Sequence, residues 1–245
     1  MALALDRHFA NDVGELLVRY RTPRCFRVER PHVTHHKTIA VRSDDPQRTD
    51  LERAGWTVAG ESWGARLRLA EPGTSQRVAA EARLHDAVAA ARARGYDVVE
   101  LGPDDVAAIA ALEASTEPDY PSTPSTAHSA PGAQDLRTLF AHGVRFFGAR
   151  TGDGELVAVS TIERRADRAE TGFTSVRSDH RGRGLAYAVK AAAVLALIAE
   201  GFTVFGTGGA AANAGSLAMN RGLGYVVEEH WYDYRAPEPI TTRLG

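Results

Sequence analysis

The stretch RSDHRGRGLA, residues 177–186, decides the reading of this chain. Before it stands ETGFTSV (170–176), which alternates like a strand, and after it LAYAVKAAAVLALIAE (185–200), a long apolar helix stopped by Gly201. Glycines at 182 and 184 let the backbone come close to a ligand and take turn geometry that other residues resist. The unbonded N–H groups of the first helical turn then converge on one spot. Such a spot favours an anion by about 0.3–1 kcal/mol through the helix dipole alone. Arg181 and Arg183 add positive charge, so the chemistry points to a phosphate or a pyrophosphate.

The two common nucleotide fingerprints fail. A dinucleotide loop G-x-G-x-x-G would need a third glycine where Tyr187 stands, and no G-x-x-x-x-G-K-[ST] run occurs. From the loop alone, a basic turn at the head of a core helix remains the alternative.

Working outward, DVVEL (97–101) reads as a short strand, and Pro103 opens a helix with acids beside its positive end. Residues 115–131 hold four prolines and seven Ser/Thr and read as a loop. A helix, AQDLRTLFAHG, follows. Strands are expected at 144–150, 156–163 and 170–176, the first two joined by the hairpin TGDGE. After the long helix come a strand at 203–207, a helix at 213–223 closed by Gly224, and a last strand at 225–234. A meander followed by a strand–helix–strand crossover gives an α/β fold: a mixed, mostly antiparallel sheet with helices on both faces.

The N-terminal part adds a strand near 37–42, a helix at 45–54, and GWTVAGESWGARLRL, which reads as two strand segments. LERAGWTVAGESW and NRGLGYVVEEHW both run helix, Gly, aromatic, strand, Trp, the pattern of a partial internal repeat. The expected organisation is an N-terminal segment (1–73), a connecting helix (74–95) and a main domain (96–240). The N-terminal segment is expected to be structural, packing on the main domain or completing its acceptor pocket.

Bulk properties narrow the class. The chain has 245 residues, is 44% hydrophobic and carries a net charge of −2, so a real core is expected and no general polyanion-binding surface, which argues against nucleic acid as a partner. Cys25 is the only cysteine, which excludes a disulfide framework and a multi-cysteine metal site. No apolar run reaches the ~18 residues of a membrane span, and charges interrupt the N-terminus too soon for a signal peptide, so a cytoplasmic protein is expected. His32, His35 and His36 resemble a metal cluster, but without nearby Cys or helical spacing they read as a surface patch, and no metal is expected. Trp56, Trp63 and Trp231 lie in strand-like runs and read as core. Lys37 and Lys190 are the only lysines, which reads as codon bias and carries no functional meaning.

Two motifs in order complete the pattern. Arg181, Gly184 and Ala186 match [QR]-x-x-G-x-[GA] at the head of a central helix. Asn213 opens the next helix, which ends in Leu223-Gly224-Tyr225. With this strand–helix succession, residues 96–235 resemble the GNAT superfamily of N-acetyltransferases. The run TSVRSDHRGRGLAYAVK looks most like the branch that contains mycothiol synthase and related small-molecule acetyltransferases.

The resemblance implies roles. Acetyl-CoA would be the acyl donor, its pantetheine arm lying along Phe173, Thr174, Ser175 and Val176. The Thr174 region would polarise the thioester carbonyl. The pyrophosphate would rest on Arg181, Gly182, Arg183, Gly184, Leu185 and Ala186. Asn213 would bind the pantetheine amide, beside Ser216, or serve as an ordinary helix cap. Glu170 occupies the place of the family's base, about 13 Å from Thr174 at strand rise, so a water would have to relay the proton. Where the family has a tyrosine acid this chain has Asn220, and where the closer branch has an asparagine it has Gly209. Glu113, Glu117, Asp119 and Tyr120, on the loop after the first helix of the main domain, would face a cationic amine.

The expected function is transfer of an acetyl group to a primary amine of a small molecule, by direct attack, in a monomer or homodimer. The alternatives are a non-catalytic acyl-CoA-binding module and an acetyltransferase for protein N-termini or lysines.

Overall fold

The computed structural model describes residues 38–121 and 123–237; Cys25, Lys37 and the HVTHH histidines lie outside them. In chain order the elements are β1 (Thr38–Arg42), α1 (Gln47–Arg53), β2 (Thr57–Arg68), α2 (Ser75–Ala93), β3 (Asp97–Leu101), α3 (Val106–Thr116), α4 (Ala133–Ala141), β4 (Arg145–Arg150), β5 (Leu156–Arg164), β6 (Ala169–Val176), α5 (Leu185–Ala199), β7 (Val204–Ala210), α6 (Ala214–Gly222) and β8 (Val226–Arg235). The strands make one sheet in the order β1-β8-β2-β7-β6-β5-β4-β3. Every pairing is antiparallel except β6 with β7.

Both faces of the sheet are covered. On one, α5 lies across the strands and α2 packs on α5. Leu84 and Val88 of α2 meet Val189, Val194 and Leu197 of α5, with Phe147, Val157 and Phe205 from the sheet. On the other, Ile109 and Leu112 of α3 and Leu136 and Leu139 of α4 close over Phe146, Val159 and Phe173. Burial of each large apolar side chain contributes about 1.5–3 kcal/mol, and these two layers fix β5 between them. Its sequence LVAVSTI is therefore buried without alternation.

The site-forming feature is a divergence. The parallel strands β6 and β7 pair only at Ala169↔Phe205 and Glu170↔Gly206. Beyond that, β6 shifts its register against β5 between Ser160 and Ile162, and the Phe173 amide donates to the Thr161 hydroxyl at 3.0 Å. Such an irregularity bends a strand and increases its twist. Meanwhile β7 is held on its far side by seven consecutive pairs with β2, from Ser62↔Ala210 to Arg68↔Val204. The two strands are thus pulled to opposite sides.

The run GWTVAGESWGARLRL forms one twelve-residue strand, β2, and not two segments. Its glycines mark close approaches instead of breaks. A Cβ at Gly64 would stand 2.9 Å from the Glu229 carboxylate, and one at Gly60 would stand 2.9 Å from Thr123. Register shifts at Val58/Gly60 and Gly64/Ala65 absorb the irregularity. The strand expected at 203–207 extends to Ala210 because β2 continues to pair with it.

β2 lies between β7 and β8, which do not touch each other as partners. The units β1–α1–β2 and β7–α6–β8 have the same element order. Each helix ends at a left-handed glycine, Gly55 (φ 82°) or Gly224 (φ 98°), followed by Trp56 or Tyr225. Ser62 pairs with Trp231 and Trp63 with His230, so the two units face each other about a local twofold. Trp63, at 2% exposure, packs over Gly209 of β7, where a Cβ would stand 2.8 Å from its ring.

Two expectations follow for the N-terminal segment. Trp63→Ala is expected to cost about 3–5 kcal/mol in urea unfolding, because the ring is enclosed and its site cannot collapse around a glycine. A chain that starts at residue 74 loses the strand joining β7 to β8. It is expected to lack a cooperative thermal transition by circular dichroism. A sharp transition would show that β8 finds another partner.

Candidate functional site

A cavity of about 800 Å³ opens where β6 and β7 part. Its walls are the freed edge of β6, the loop and first turns of α5, the end of β7 with α6, and the loop between α3 and α4. Phe173, Thr174, Ser175, Val176, Arg181, Gly182, Arg183, Gly184, Leu185, Ala186, Asn213, Ser216, Asp119 and Tyr120 all line it. Glu113, Glu117 and Glu170 do not.

The loop before α5 turns free N–H groups and arginines toward the cavity. Gly182 (φ 73°) and Gly184 (φ 80°) are left-handed, a conformation that costs other residues about 1–2 kcal/mol. Gly184 is the N-cap of α5 and offers no side chain to the first-turn N–H groups. The arginines are held in place. Arg181 donates to the Val176 carbonyl at 3.0 Å and to Asp119 at 2.7 Å. Arg183 donates to the Tyr96 hydroxyl at 2.8 Å, and that hydroxyl meets His180 Nδ1 at 2.9 Å. Arg94 also lines this end of the cavity. Sequence reading missed Arg94 and Tyr96, which lie in the turn between α2 and β3 and carry no motif.

The α3–α4 loop forms the opposite wall. The Tyr120 hydroxyl donates to the Thr174 carbonyl at 2.9 Å and meets Ser175 Oγ at 2.7 Å. Burial, helped by the Glu113 carboxylate, raises its pKa far above the usual tyrosine value, so it stays protonated. His128 stacks on Tyr120 with ring centroids 4.1 Å apart and tilts against Phe173 at 5.3 Å. Its Nε2 lies 2.7 Å from Glu113 Oε2, with side-chain exposures of 7% and 0%. Glu113 is therefore not a surface acid awaiting an amine; it is the buried carboxylate behind a cavity-lining imidazole. Sequence reading missed His128, since its partner lies fifteen residues away on a helix and only the folded loop joins them. The loop is pinned to β8, where Asp233 accepts from the Ser125 amide at 3.0 Å and bonds the Ser125 hydroxyl.

The other expected residues are placed as follows. Glu117 is exposed on the short 3₁₀ turn Glu117–Asp119, outside the wall. Glu170 is buried at the vertex of the divergence. Arg168 Nε donates to it at 2.7 Å, and its carboxylate fills the space where a Gly206 side chain would be. Asn213 caps α6, its Oδ1 accepting from Ser216 N at 2.9 Å. Asn220 donates to the Ser216 carbonyl at 2.9 Å, while its buried Oδ1 has no hydrogen-bond partner although it lines the cavity. A buried acceptor of this kind calls for a donor. Gly209, where the resembling branch has an asparagine, leaves its space to the Trp63 ring.

Lys190, also unforeseen, is buried on α5 and lines the cavity. Its Nζ donates to Thr207 Oγ1 at 2.7 Å and stands 4.7 Å from the Tyr225 ring centre. Burial lowers its pKa to about 7, against the opposing pull of the Glu170 charge. Among the described residues, no group of His, Cys, Asp and Glu could hold a metal ion, and no helix is long and apolar enough to cross a membrane.

No protein-family model matches the chain, and no curated protein matches it in sequence. Solved structures do match. A GCN5-related N-acetyltransferase from Sphaerobacter thermophilus superposes with a TM-score of 0.60 at 16% identity, over 83% of this chain and 62% of that one. The tandem GNAT protein from the clavulanic acid biosynthesis pathway gives 0.52 at 17%, over 82% and 64%. A conserved protein from Staphylococcus epidermidis gives 0.53 at 10%, over 84% and 74%. The chain spans less than two thirds of the first two. At these identities the likeness is one of fold: the sheet and its flanking helices are those of GCN5-related N-acetyltransferases.

The buried Lys190 carries a stability signature. Its pKa of about 7 lies below the 10.5 of a free lysine, so the unfolded chain binds more protons between those values. The folded state therefore gains stability as pH rises from about 7 to 10.5 and loses it on the way back. Lys190→Met is expected to raise the melting temperature at pH 7 and below, and to raise it less at pH 10. A shift that does not depend on pH would place the ammonium in water.

Proposed function

We propose that the chain is an acyl-CoA-dependent N-acyltransferase that transfers a short acyl group to a primary amine of a small molecule. One observation carries this reading. The freed edge of β6 at 171–176 runs along one cavity, from the left-handed glycine loop to the point where β6 and β7 last pair.

The residues present fit an acyl-CoA. The uncapped N–H groups of α5, with Arg181, Arg183 and Arg94, suit its phosphates. The β6 edge offers backbone groups to a peptide-like arm, and Asn220 Oδ1 awaits an N–H donor. Asn213 and Ser216 flank the same stretch.

The bound donor supplies an activated thioester carbonyl; the chain does the rest. The backbone N–H near Thr174 stabilises negative charge on the carbonyl oxygen. The acceptor amine forms the new N–C bond as the C–S bond breaks, and its proton goes to His128. Glu113 orients that ring and stabilises it when charged, as a buried carboxylate does for a catalytic imidazole. Departure of a thiolate with an ordinary pKa of about 8.5 needs little assistance, so Asn220 in place of a tyrosine is compatible with turnover. Glu170, engaged by Arg168 behind the wall, reaches the amine only through water.

Mass spectrometry of products from short-chain acyl-CoA thioesters and a mixed amine library, peptides included, is expected to show one N-acylated small amine. His128→Asn is expected to lower kcat/KM by about 10²–10⁴ and to remove the acidic limb of the pH–rate profile. Glu170→Gln is expected to keep that limb. The reverse pattern would move the base to Glu170. The absent tyrosine favours a second reading, a non-catalytic acyl-CoA-binding module, which predicts binding without turnover on any amine.

A further inference from the structure

Lys190 has no part in the reaction above, yet it is the only lysine among the described residues and is 1% exposed. A buried amine needs a reason, because taking a charge out of water is costly unless it is paired. No carboxylate of the described residues lies within ion-pair distance of it; Thr207 Oγ1 is its hydrogen-bond partner and the Tyr225 ring covers one side.

The charges that face it do not cancel it. Glu170 on β6 is matched by Arg168 at 2.7 Å, and Arg66 on β2 is matched by Glu229 at 3.5 Å. Tyr225 stays neutral, its hydroxyl pushed up by burial. Thr171 and Thr207 carry no charge. The Glu170 charge still favours the ammonium, but it acts from beyond ion-pair distance and is shared with Arg168, so among the described residues no carboxylate contacts Lys190.

Its position is as specific as its charge. Thr171 and Thr207 are the first residues beyond the last β6–β7 pair, Glu170↔Gly206, and Lys190 lies beneath them. This is the closed end of the divergence; the glycine loop stands at the open end. From Val176 to Thr171 is about 16 Å at strand rise, room for an extended arm. On the acyl-CoA reading, on which this inference rests, a ligand held by its phosphates and laid along β6 points its acyl end at this floor.

We propose that Lys190 and Thr207 form an acyl-selecting site for a donor whose acyl group ends in a carboxylate, a dicarboxylic thioester of the succinyl or malonyl type, in preference to acetyl. The carboxylate accepts from the ammonium and from the threonine hydroxyl, and gives the amine a direct anionic contact where Glu170 acts only from beyond ion-pair distance. Binding it holds the proton on Lys190, so above pH 7 complex formation takes up a proton.

Two non-reacting thioethers test this with the full chain: S-ethyl-CoA and S-(2-carboxyethyl)-CoA, which differ by a terminal carboxylate. Titration calorimetry at pH 7 is expected to show the carboxyethyl compound binding at least ~10-fold tighter, the yield of one charge-assisted hydrogen bond. Its advantage is expected to shrink as pH rises from 7 to 9.5. In Lys190→Met the ratio is expected to fall to about one or below. Equal binding of the two compounds by the unaltered chain, a preference for S-ethyl-CoA, or a preference that survives Lys190→Met, overturns the proposal while leaving the donor reading intact. Failure of both compounds to bind overturns the donor reading as well. The pH series on the unaltered chain decides the matter if the variant does not fold.

Discussion

Everything in the cleft depends on the way β6 and β7 stop pairing after two residues. A parallel pair left to itself would continue along its ladder. Here Glu170 and Gly206 are the last to pair, and the Glu170 carboxylate, held by Arg168, occupies the volume of a missing side chain at position 206. The β6 irregularity turns that strand toward β5 and α3, while β2 keeps β7 on its own side. The opening is therefore a consequence of competition for partners, not of a loop that happens to be wide. It exposes a strand edge inside the molecule, where an unpaired edge is costly unless something covers it.

The N-terminal unit takes part in this competition. Among the described residues β2 is the only strand that pairs with both β7 and β8, and its glycines admit Glu229 and the α3–α4 loop into contact. Asp233 on β8 anchors that same loop. The loop that carries Tyr120 and His128 thus stands on strands from opposite ends of the chain. A segment without any phosphate-binding motif reaches the site through its packing.

The electrostatics of the cleft change along its length. At the loop end, arginines are oriented by Asp119, Tyr96 and backbone carbonyls and face an uncapped helix start. On the wall formed by the α3–α4 loop, a buried carboxylate backs an imidazole. At the closed end, a desolvated amine has one hydroxyl and one ring for company. Three chemically different subsites on one continuous wall suit a ligand with an anionic head, a neutral arm and a reactive tip.

By itself the sequence determined the order of elements, the covered sheet and the glycine turn that opens α5. These are local properties: Gly182 and Gly184 need no distant partner to adopt positive φ, and the long apolar run of α5 can only be a buried helix. The 3.6- and 2-residue periods carry such information directly. The tertiary structure alone decided what depends on contacts between remote residues. It turned Glu113 from a surface acid into the support of His128, and set Glu170 behind the wall. It drew one strand where glycines suggested two, and gave Lys190, which read as codon usage, a place at the floor of the cleft. In each case the meaning of the residue lies in a neighbour 15 or more positions away, such as Thr207 for Lys190 or Glu229 for Gly64, and no periodicity in the chain encodes that distance.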